Sequence, residues 1–371
     1  MKKILKKIFY LQDEGEYKKV VFFGFGIFHI FNGSSVSGQI CRKVIRKIRA
    51  VFGFKTSHFA QKFNYEIDIY DNDLFKFRKF LSSDIKTAYL KLIENTDDES
   101  IRTVSLIISR LRKSLLKQNF TKISFEASAQ EKAQIRNIKE NFTDLIVKLS
   151  DKVIAYKQYL LPSGGGGFFE NTFYYENFFS QPQMGGGGKN IFAKDIVDAG
   201  AFIGDSAIVF AHHTNKKIYS FEPDLKNFAV LLETIKLNGL EGKIIPINKA
   251  LGDKKEKLNL AAEGAGTICF YGQEVGNQVE AVTLDDFVKE NNLEVGIIKT
   301  DIEGFEQNLL RGAEQTIKSQ KPILFISIYH NASDFFDIKP LIESWNLGYK
   351  FKIRKFSSRS LILETMLICE V

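Results

Sequence analysis

The chain has 371 residues, 44% of them apolar and 26% charged, which is the balance of a globular protein and excludes collagen-like, mucin-like and wholly disordered chains. Its net charge of +8 is uneven: residues 1–60 carry 12 basic and 3 acidic side chains, whereas residues 191–371 carry 21 and 25. Three widely spaced cysteines, Cys41, Cys269 and Cys369, argue against a disulfide framework or a zinc site and for a reduced, cytoplasmic setting.

Residues 1–60 read as a basic N-terminal module. Ile4, Leu5, Ile8 and Phe9 alternate with Lys2, Lys3, Lys6 and Lys7, so Met1–Tyr10 is expected to form a short amphipathic helix that can lie on an anionic membrane surface. Val20–Ile30 follows as a strand or hairpin, with Gly24-Phe25-Gly26 as its turn. The third glycine of a dinucleotide fingerprint is absent there. The longest apolar run, from Val20 to Phe31, is far short of the roughly 20 residues that a spanning helix needs. No apolar stretch with a small-residue cleavage site follows the basic start, so no signal peptide is expected.

Residues 61–161 read as a mostly helical accessory region. Ile101, Val104, Ile107, Ile108, Leu111 and Leu115 predict a helix over Ser100–Lys117. Ile135, Ile138, Phe142, Leu145, Ile146, Leu149 and Val153 predict a second, from about Ala127 to Tyr159. Both stripes are expected to serve packing. Residues 162–190 form a loop in which two tetraglycine runs, Gly164–Gly167 and Gly185–Gly188, flank the aromatic stretch Phe168–Phe179. No Gly-Lys-Ser/Thr follows either run, so neither is a phosphate loop. The aromatic stretch is expected to be either a lid over a site or a helix packed on the core.

From residue 191 to 371 the pattern becomes regular. Strand-like runs at Asp195–Asp198, Lys217–Phe221, Lys243–Ile247, Val295–Thr300 and Pro322–Ile328 are separated by helical segments such as Leu225–Leu237 and Phe305–Gln320. This alternation predicts an α/β fold with a Rossmann-like, doubly wound parallel sheet. In such sheets the sites lie just beyond the carboxyl ends of the strands.

The first of these strands runs into Asp198-Ala199-Gly200-Ala201-Phe202-Ile203-Gly204-Asp205. Small residues at Gly200 and Gly204 let backbone approach a ligand, while Asp198 and Asp205 would repel a diphosphate and suit a cation. About 20 residues on, Glu222 closes the second strand, where a carboxylate can accept both ribose hydroxyls. A site that wants a ribose and a positive charge, but no phosphate, fits S-adenosylmethionine. His212 and His213 follow the first helix and are expected at the surface.

Val197–Asp205 resembles the first motif of class I S-adenosylmethionine-dependent methyltransferases. Ser220-Phe221-Glu222-Pro223, Lys249-Ala250-Leu251-Gly252-Asp253, Thr283-Leu284-Asp285-Asp286-Phe287, Ile298-Lys299-Thr300-Asp301-Ile302-Glu303-Gly304 and Ile326-Ser327-Ile328-Tyr329-His330 resemble the FkbM methyltransferase family. The likeness spans about residues 191–330 and makes residues 191–371 the methyltransferase domain.

The resemblance implies that Asp198, Gly200, Gly204 and Asp205 meet the methionine end of the cofactor and that Glu222 holds its ribose. It places Ala250 and Leu251 beside the adenine, and Asp301, Glu303 and His330 where methyl group and acceptor meet. A hydroxyl acceptor needs a general base, for which His330 has the right unperturbed pKa, with Asp301 and Glu303 as competitors. Asp301 and Glu303, with His330, would also suit Mg²⁺ or Mn²⁺ if the reaction is metal-dependent.

The expected activity is O-methylation of a sugar or surface-glycan precursor, such as a nucleotide-sugar or lipid-linked sugar. The alternatives are a lipid or small-metabolite acceptor, or a non-catalytic scaffold that kept the fold. The expected location is cytoplasmic, with peripheral contact at the inner membrane face through residues 1–60. Nucleic acid is not an expected partner, because the catalytic half is net negative.

Overall fold

The computed structural model describes residues 9–14, 17–22, 26–31, 65–82, 85–117, 121–164, 167–177, 179, 193–263, 266–271 and 277–371. The chain divides into two units, Met1–Asn64 and Tyr65–Val371. In the first, β1 (Phe9–Glu14), β2 (Tyr17–Phe22) and β3 (Gly26–Phe31) form an antiparallel sheet in that order. The β2–β3 hairpin matches the expectation for Val20–Ile30, with Phe22 paired to Gly26 across its turn. Phe9 and Tyr10 belong to β1 rather than to a helix, and the rest of the Met1–Tyr10 stretch lies outside the described residues.

The second unit opens with the accessory region. It holds β4 (Glu66–Tyr70), helices Asp71–Leu81, Lys86–Ile93 and Asp98–Leu115, then β5 (Lys122–Glu126) and helix Ala129–Asn141. The Asp98–Leu115 helix follows the predicted stripe and buries Val104, Ile107, Ile108 and Leu111. Its N-cap is Asp97, which accepts the Ser100 N–H at 2.9 Å.

The second predicted helix is shorter than its stripe. It starts from a capping box of Ser128 and Glu131 and ends at Asn141. Beyond it, β6 (Val147–Lys148), β7 (Val153–Tyr156) and β8 (Tyr159–Pro162) make a small antiparallel sheet. Ile135, Ile138 and Phe142 are buried, but Leu145 and Leu149 are exposed, so the second half of the apolar series does not share one face.

The aromatic stretch then makes one wide helical turn over Glu170–Tyr174, in which the Tyr175 N–H reaches Glu170 O at 3.0 Å and the Asn177 N–H reaches Thr172 O at 2.9 Å. Its rings pack inward: Phe173 is fully buried between Tyr159 and Phe168, and Tyr175 meets Phe356 edge-on. The tetraglycine run Gly185–Gly188 lies outside the described residues.

The main sheet supplies the frame for the site. Its strands are β9 (Asp195–Ala199), β10 (Ile218–Phe221), β11 (Ile244–Ile247), β16 (Val295–Thr300), β17 (Ile323–Ser327), β18 (Lys350–Lys355) and β19 (Thr365–Glu370). The order is β11-β10-β9-β16-β17-β19-β18. The first five are mutually parallel, and β19 runs antiparallel to both of its neighbours. β16 and β17 are buried along their whole length, which is why they read as continuous apolar runs rather than alternating ones.

Between β11 and β16 the chain forms a second sheet, β12 (Ala250–Leu251), β13 (Glu256–Glu263), β14 (Gly266–Phe270) and β15 (Asn277–Val282), in the order β12-β15-β13-β14. The predicted helix Leu225–Leu237 is observed with those bounds, capped by Asp224. The predicted Phe305–Gln320 helix is two, Glu306–Gly312 and Glu314–Gln320. β10 and β11 lie on one side of β9 and β16 to β19 on the other, so the order reverses between β9 and β16, and the switch point opens beside the carboxyl ends of these two strands.

Candidate active site

A cavity of about 500 Å³ opens at this switch point. Of the ten residues that the sequence analysis singled out, Gly200, Asp205, Glu222, Ala250, Leu251, Asp301, Glu303 and His330 line it. Asp198 and Gly204 stand behind its wall.

The turn after β9 is shaped by its glycines. Gly200 has φ +76°, and a Cβ there would lie 1.9 Å from the Asp301 carbonyl oxygen. Glycine is therefore required at the point where the loops after β9 and β16 touch. Gly204 has φ +85° and packs under Leu231.

Asp198 is fully buried. Its Oδ2 accepts from Ser206 Oγ at 2.7 Å, and its Oδ1 lies 3.2 Å from Lys299 Nζ. The Lys299 ammonium in turn donates to Gly200 O at 2.8 Å. Burial alone would lower the Lys299 pKa, but Asp198, Asp301 and Asp205 around it hold it above the ordinary lysine value. Asp198 thus holds the turn through Lys299 instead of facing the cavity. Lys299 is a cavity-lining residue that the sequence analysis did not single out, although it stands within the quoted stretch Ile298–Gly304. Asp205 accepts from Thr172 Oγ1 at 3.1 Å, and burial raises its carboxyl to about 6.

Glu222 sits at the end of β10. Its Oε2 accepts the Phe202 N–H and its Oε1 the Asp224 N–H, both at 2.9 Å. The Asn227 side chain is a third donor to this carboxylate, which still has acceptor capacity for a ligand. Burial pushes the carboxyl up to about 7, against the pull of those two N–H groups. Phe221, Leu251, Ile302 and Phe305 give this end of the cavity an apolar lining, suited to a flat heterocycle.

The other end is acidic. Asp301 follows β16 and accepts from Ser327 Oγ at 2.8 Å and Tyr329 OH at 3.0 Å. The loop then turns through Glu303 (φ +55°) and Gly304 (φ +97°) into the helix Glu306–Gly312. His330 follows β17. Its Nε2 lies 3.4 Å from Asp301 Oδ1 and 3.5 Å from Glu303 Oε2, and its Nδ1 lies 2.9 Å from Glu306 Oε1.

Burial alone would lower the imidazole pKa, but Glu306, Asp301 and Glu303 together raise it to about 10. A ring that carries its proton at neutral pH gives its lone pair only to a group that displaces that proton. Glu306 is the neighbour that the sequence analysis missed. The signal was present: a second acid follows Glu303-Gly304 at the start of a helix, on the loop that already carries Asp301 and Glu303.

The accessory region reaches the same cavity. Asn72, Asp73 and Lys76 of the Asp71–Leu81 helix line it, as do Phe169, Asn171, Thr172 and Asn177 of the aromatic stretch. That stretch is therefore both a packed element and a wall of the site. His212 is exposed and His213 half-buried, and neither lines the cavity.

A mostly parallel sheet with a reversed strand near one edge and an open switch point lined by carboxylates describes a class I, Rossmann-like methyltransferase fold. Residues 198–351 match the family described as the methyltransferase FkbM domain. Among solved structures, the chain is similar to methyltransferase FkbM from Methylobacillus flagellatus KT, at 16% identity and a TM-score of 0.53, covering 90% of this chain and 71% of that one. That likeness is one of fold. The chain is also similar to the O-methyltransferase from Bacillus cereus in complex with SAH, at 12% identity and a TM-score of 0.36, covering 57% of this chain and 84% of that one. No curated protein matches the chain in sequence.

Proposed function

We propose that the protein transfers the methyl group of S-adenosylmethionine to a hydroxyl of a sugar or surface-glycan precursor. The observation that carries this reading is the single cavity in which Glu222 and an apolar lining at one end are continuous with Asp301 and Glu303 at the other. The residues fit the cofactor: Gly200 leaves room for close approach, Glu222 offers both oxygens to a ribose, and no phosphate cradle is present among the lining residues.

Bound there, S-adenosylmethionine supplies a methyl group made electrophilic by its sulfonium. Glu222 would hold the ribose, Ala250 and Leu251 would flank the adenine, and the Gly200 turn, kept in shape by Lys299, would receive the methionine end. Glu303 would take the proton of the acceptor hydroxyl as that oxygen received the methyl group. Its side chain is about a third exposed, at 34%, so it is open to an incoming hydroxyl. The polar walls formed by Asn72, Asp73, Asn171 and Glu364 suit an acceptor with several hydroxyls.

Calorimetric titration with S-adenosylmethionine and its demethylated product tests the cofactor. Wild-type protein should bind both, and Glu222→Ala should weaken both at least tenfold. A folded wild-type protein that binds neither would overturn the reading. With methyl-labelled cofactor and a panel of sugar acceptors, Glu303→Gln should lower turnover by about 100-fold while leaving cofactor affinity in place. Full turnover in that variant would remove Glu303 as the base.

A further inference from the structure

The acidic end of the cavity holds more negative charge than its own cations offset. Lys299 is committed to Asp198 and Gly200 O, and Lys76 acts on Glu303. Asp301, which also acts on Lys299, and Glu306 face one histidine, with Asp334 close to both Glu306 and His330.

Glu306 is fully buried, and while its Oε1 accepts the Ile302 N–H at 2.9 Å, its Oε2 has no hydrogen-bond partner. His330 is 4% exposed. Its Nδ1 is close to Glu306 Oε1 but off the line of a hydrogen bond, so neither ring nitrogen has a well-directed partner. A buried carboxylate oxygen with no partner, beside ring nitrogens held only by ion pairs, is costly, and such groups are rare unless a ligand satisfies them.

One donor atom from each of Asp301, Glu306 and His330 lies within 4.8 Å of the others. We propose that Asp301, Glu306 and His330 bind a divalent cation of the Mn²⁺ type. Two carboxylates and one imidazole form a mixed oxygen and nitrogen set, which suits Mn²⁺ better than an all-oxygen Mg²⁺ cage or a thiolate-rich zinc site. The set differs from the one expected from sequence, with Glu306 in place of Glu303. Ser327 and Tyr329 donate to Asp301 and fix its orientation, as outer partners do in metal sites. Asp301 and His330 also line the cavity, so the cation would stand at its wall, where it would acidify an oxygen bound to it. The proposal does not depend on the acceptor named above.

The test is titration of the full-length protein with Mn²⁺, read by the loss of the free-ion electron paramagnetic resonance signal. One ion per chain should bind, and pulsed spectra of the loaded protein should show coupling to a histidine nitrogen. His330→Ala and Glu306→Ala should each weaken Mn²⁺ binding more than tenfold. If either variant fails to fold, Asp301→Asn must show the same loss, because its amide oxygen can still accept from Ser327 and Tyr329. Glu222→Ala should bind Mn²⁺ as wild type does, which separates this proposal from the cofactor reading. A free-ion signal that never falls, an absent nitrogen coupling, or a site that survives these substitutions would each overturn it.

Discussion

Burial lifts the Glu222 carboxyl to about 7, although the Phe202 and Asp224 N–H groups both favour its ionised form. Two consequences follow from that value. The folded state holds a proton that the unfolded chain releases at an ordinary carboxylate pKa, so this residue's contribution to stability is complete below the unfolded value and is lost as pH rises through about 7. For ligand binding the sign is opposite. The ionised carboxylate is the better acceptor of two ribose hydroxyls, so affinity for S-adenosylmethionine should fall as pH drops below 7, approaching tenfold per unit. Titrations between pH 5.5 and 8 would show this slope in wild type, and Glu222→Gln should flatten it. An equal slope in both proteins would assign the dependence to another group.

The residues around Glu222 also show what a sequence can and cannot disclose. Gly200, Glu222 and Asp301 were readable because each closes a strand, and the ends of parallel strands converge. The turn of Asp198 onto Lys299 was not readable, because it depends on the register that sets these two residues side by side on neighbouring strands. Nor was the state of His330, which is set by three carboxylates drawn together by two separate loops.

At the scale of elements, the accessory region is held to the methyltransferase sheet by a charged contact. Arg354 on β18 is almost fully buried, and it reaches Asp97 Oδ2 at 2.5 Å, Asp97 Oδ1 at 3.0 Å and Glu99 Oε2 at 3.1 Å. Asp97 is also the N-cap of the Asp98–Leu115 helix. Burial alone would raise the Asp97 carboxyl, but Arg354 and Ser100 hold it well below the usual carboxylate range. Asp97→Ala removes the cap and leaves Arg354 with Glu99, the Ser100 hydroxyl and the Ile353 carbonyl. With allowance for the partial exposure of the pair, it should cost about 2 kcal/mol of stability in chemical unfolding.

The sign with pH follows from the depressed pKa: the contribution is present above the unfolded carboxylate value and is lost as pH falls through the folded one. Wild type should therefore lose more stability on acidification than Asp97→Ala does. Identical acid sensitivity would show that the contact contributes little. This contact spans more than 250 residues of sequence, and nothing local announces it. The helix that it caps was legible from its apolar stripe, whereas the stripe beyond Phe142 misled because apolar residues in a hairpin can fall at helical spacing by coincidence.

At the scale of the molecule, charge is segregated along the chain. Residues 1–60 carry nine more basic than acidic side chains, while residues 191–371 carry four more acidic than basic ones. Among the described residues no helix is long and apolar enough to cross a membrane. Contact with a membrane would then rest on electrostatic attraction, with each basic side chain near an anionic surface contributing roughly 1 kcal/mol. Such attraction is screened over about 8 Å at physiological ionic strength and over about 3 Å at 1 M salt. The prediction is that the full-length protein sediments with phosphatidylglycerol-containing vesicles at low salt, leaves them at 1 M salt, and ignores phosphatidylcholine vesicles at either. Retention at high salt would point to an inserted apolar anchor, and failure to sediment at low salt would end the membrane reading. A lipid-linked sugar acceptor makes the first outcome useful to the enzyme, because an acceptor confined to a membrane surface is met more often by a catalyst held at that surface.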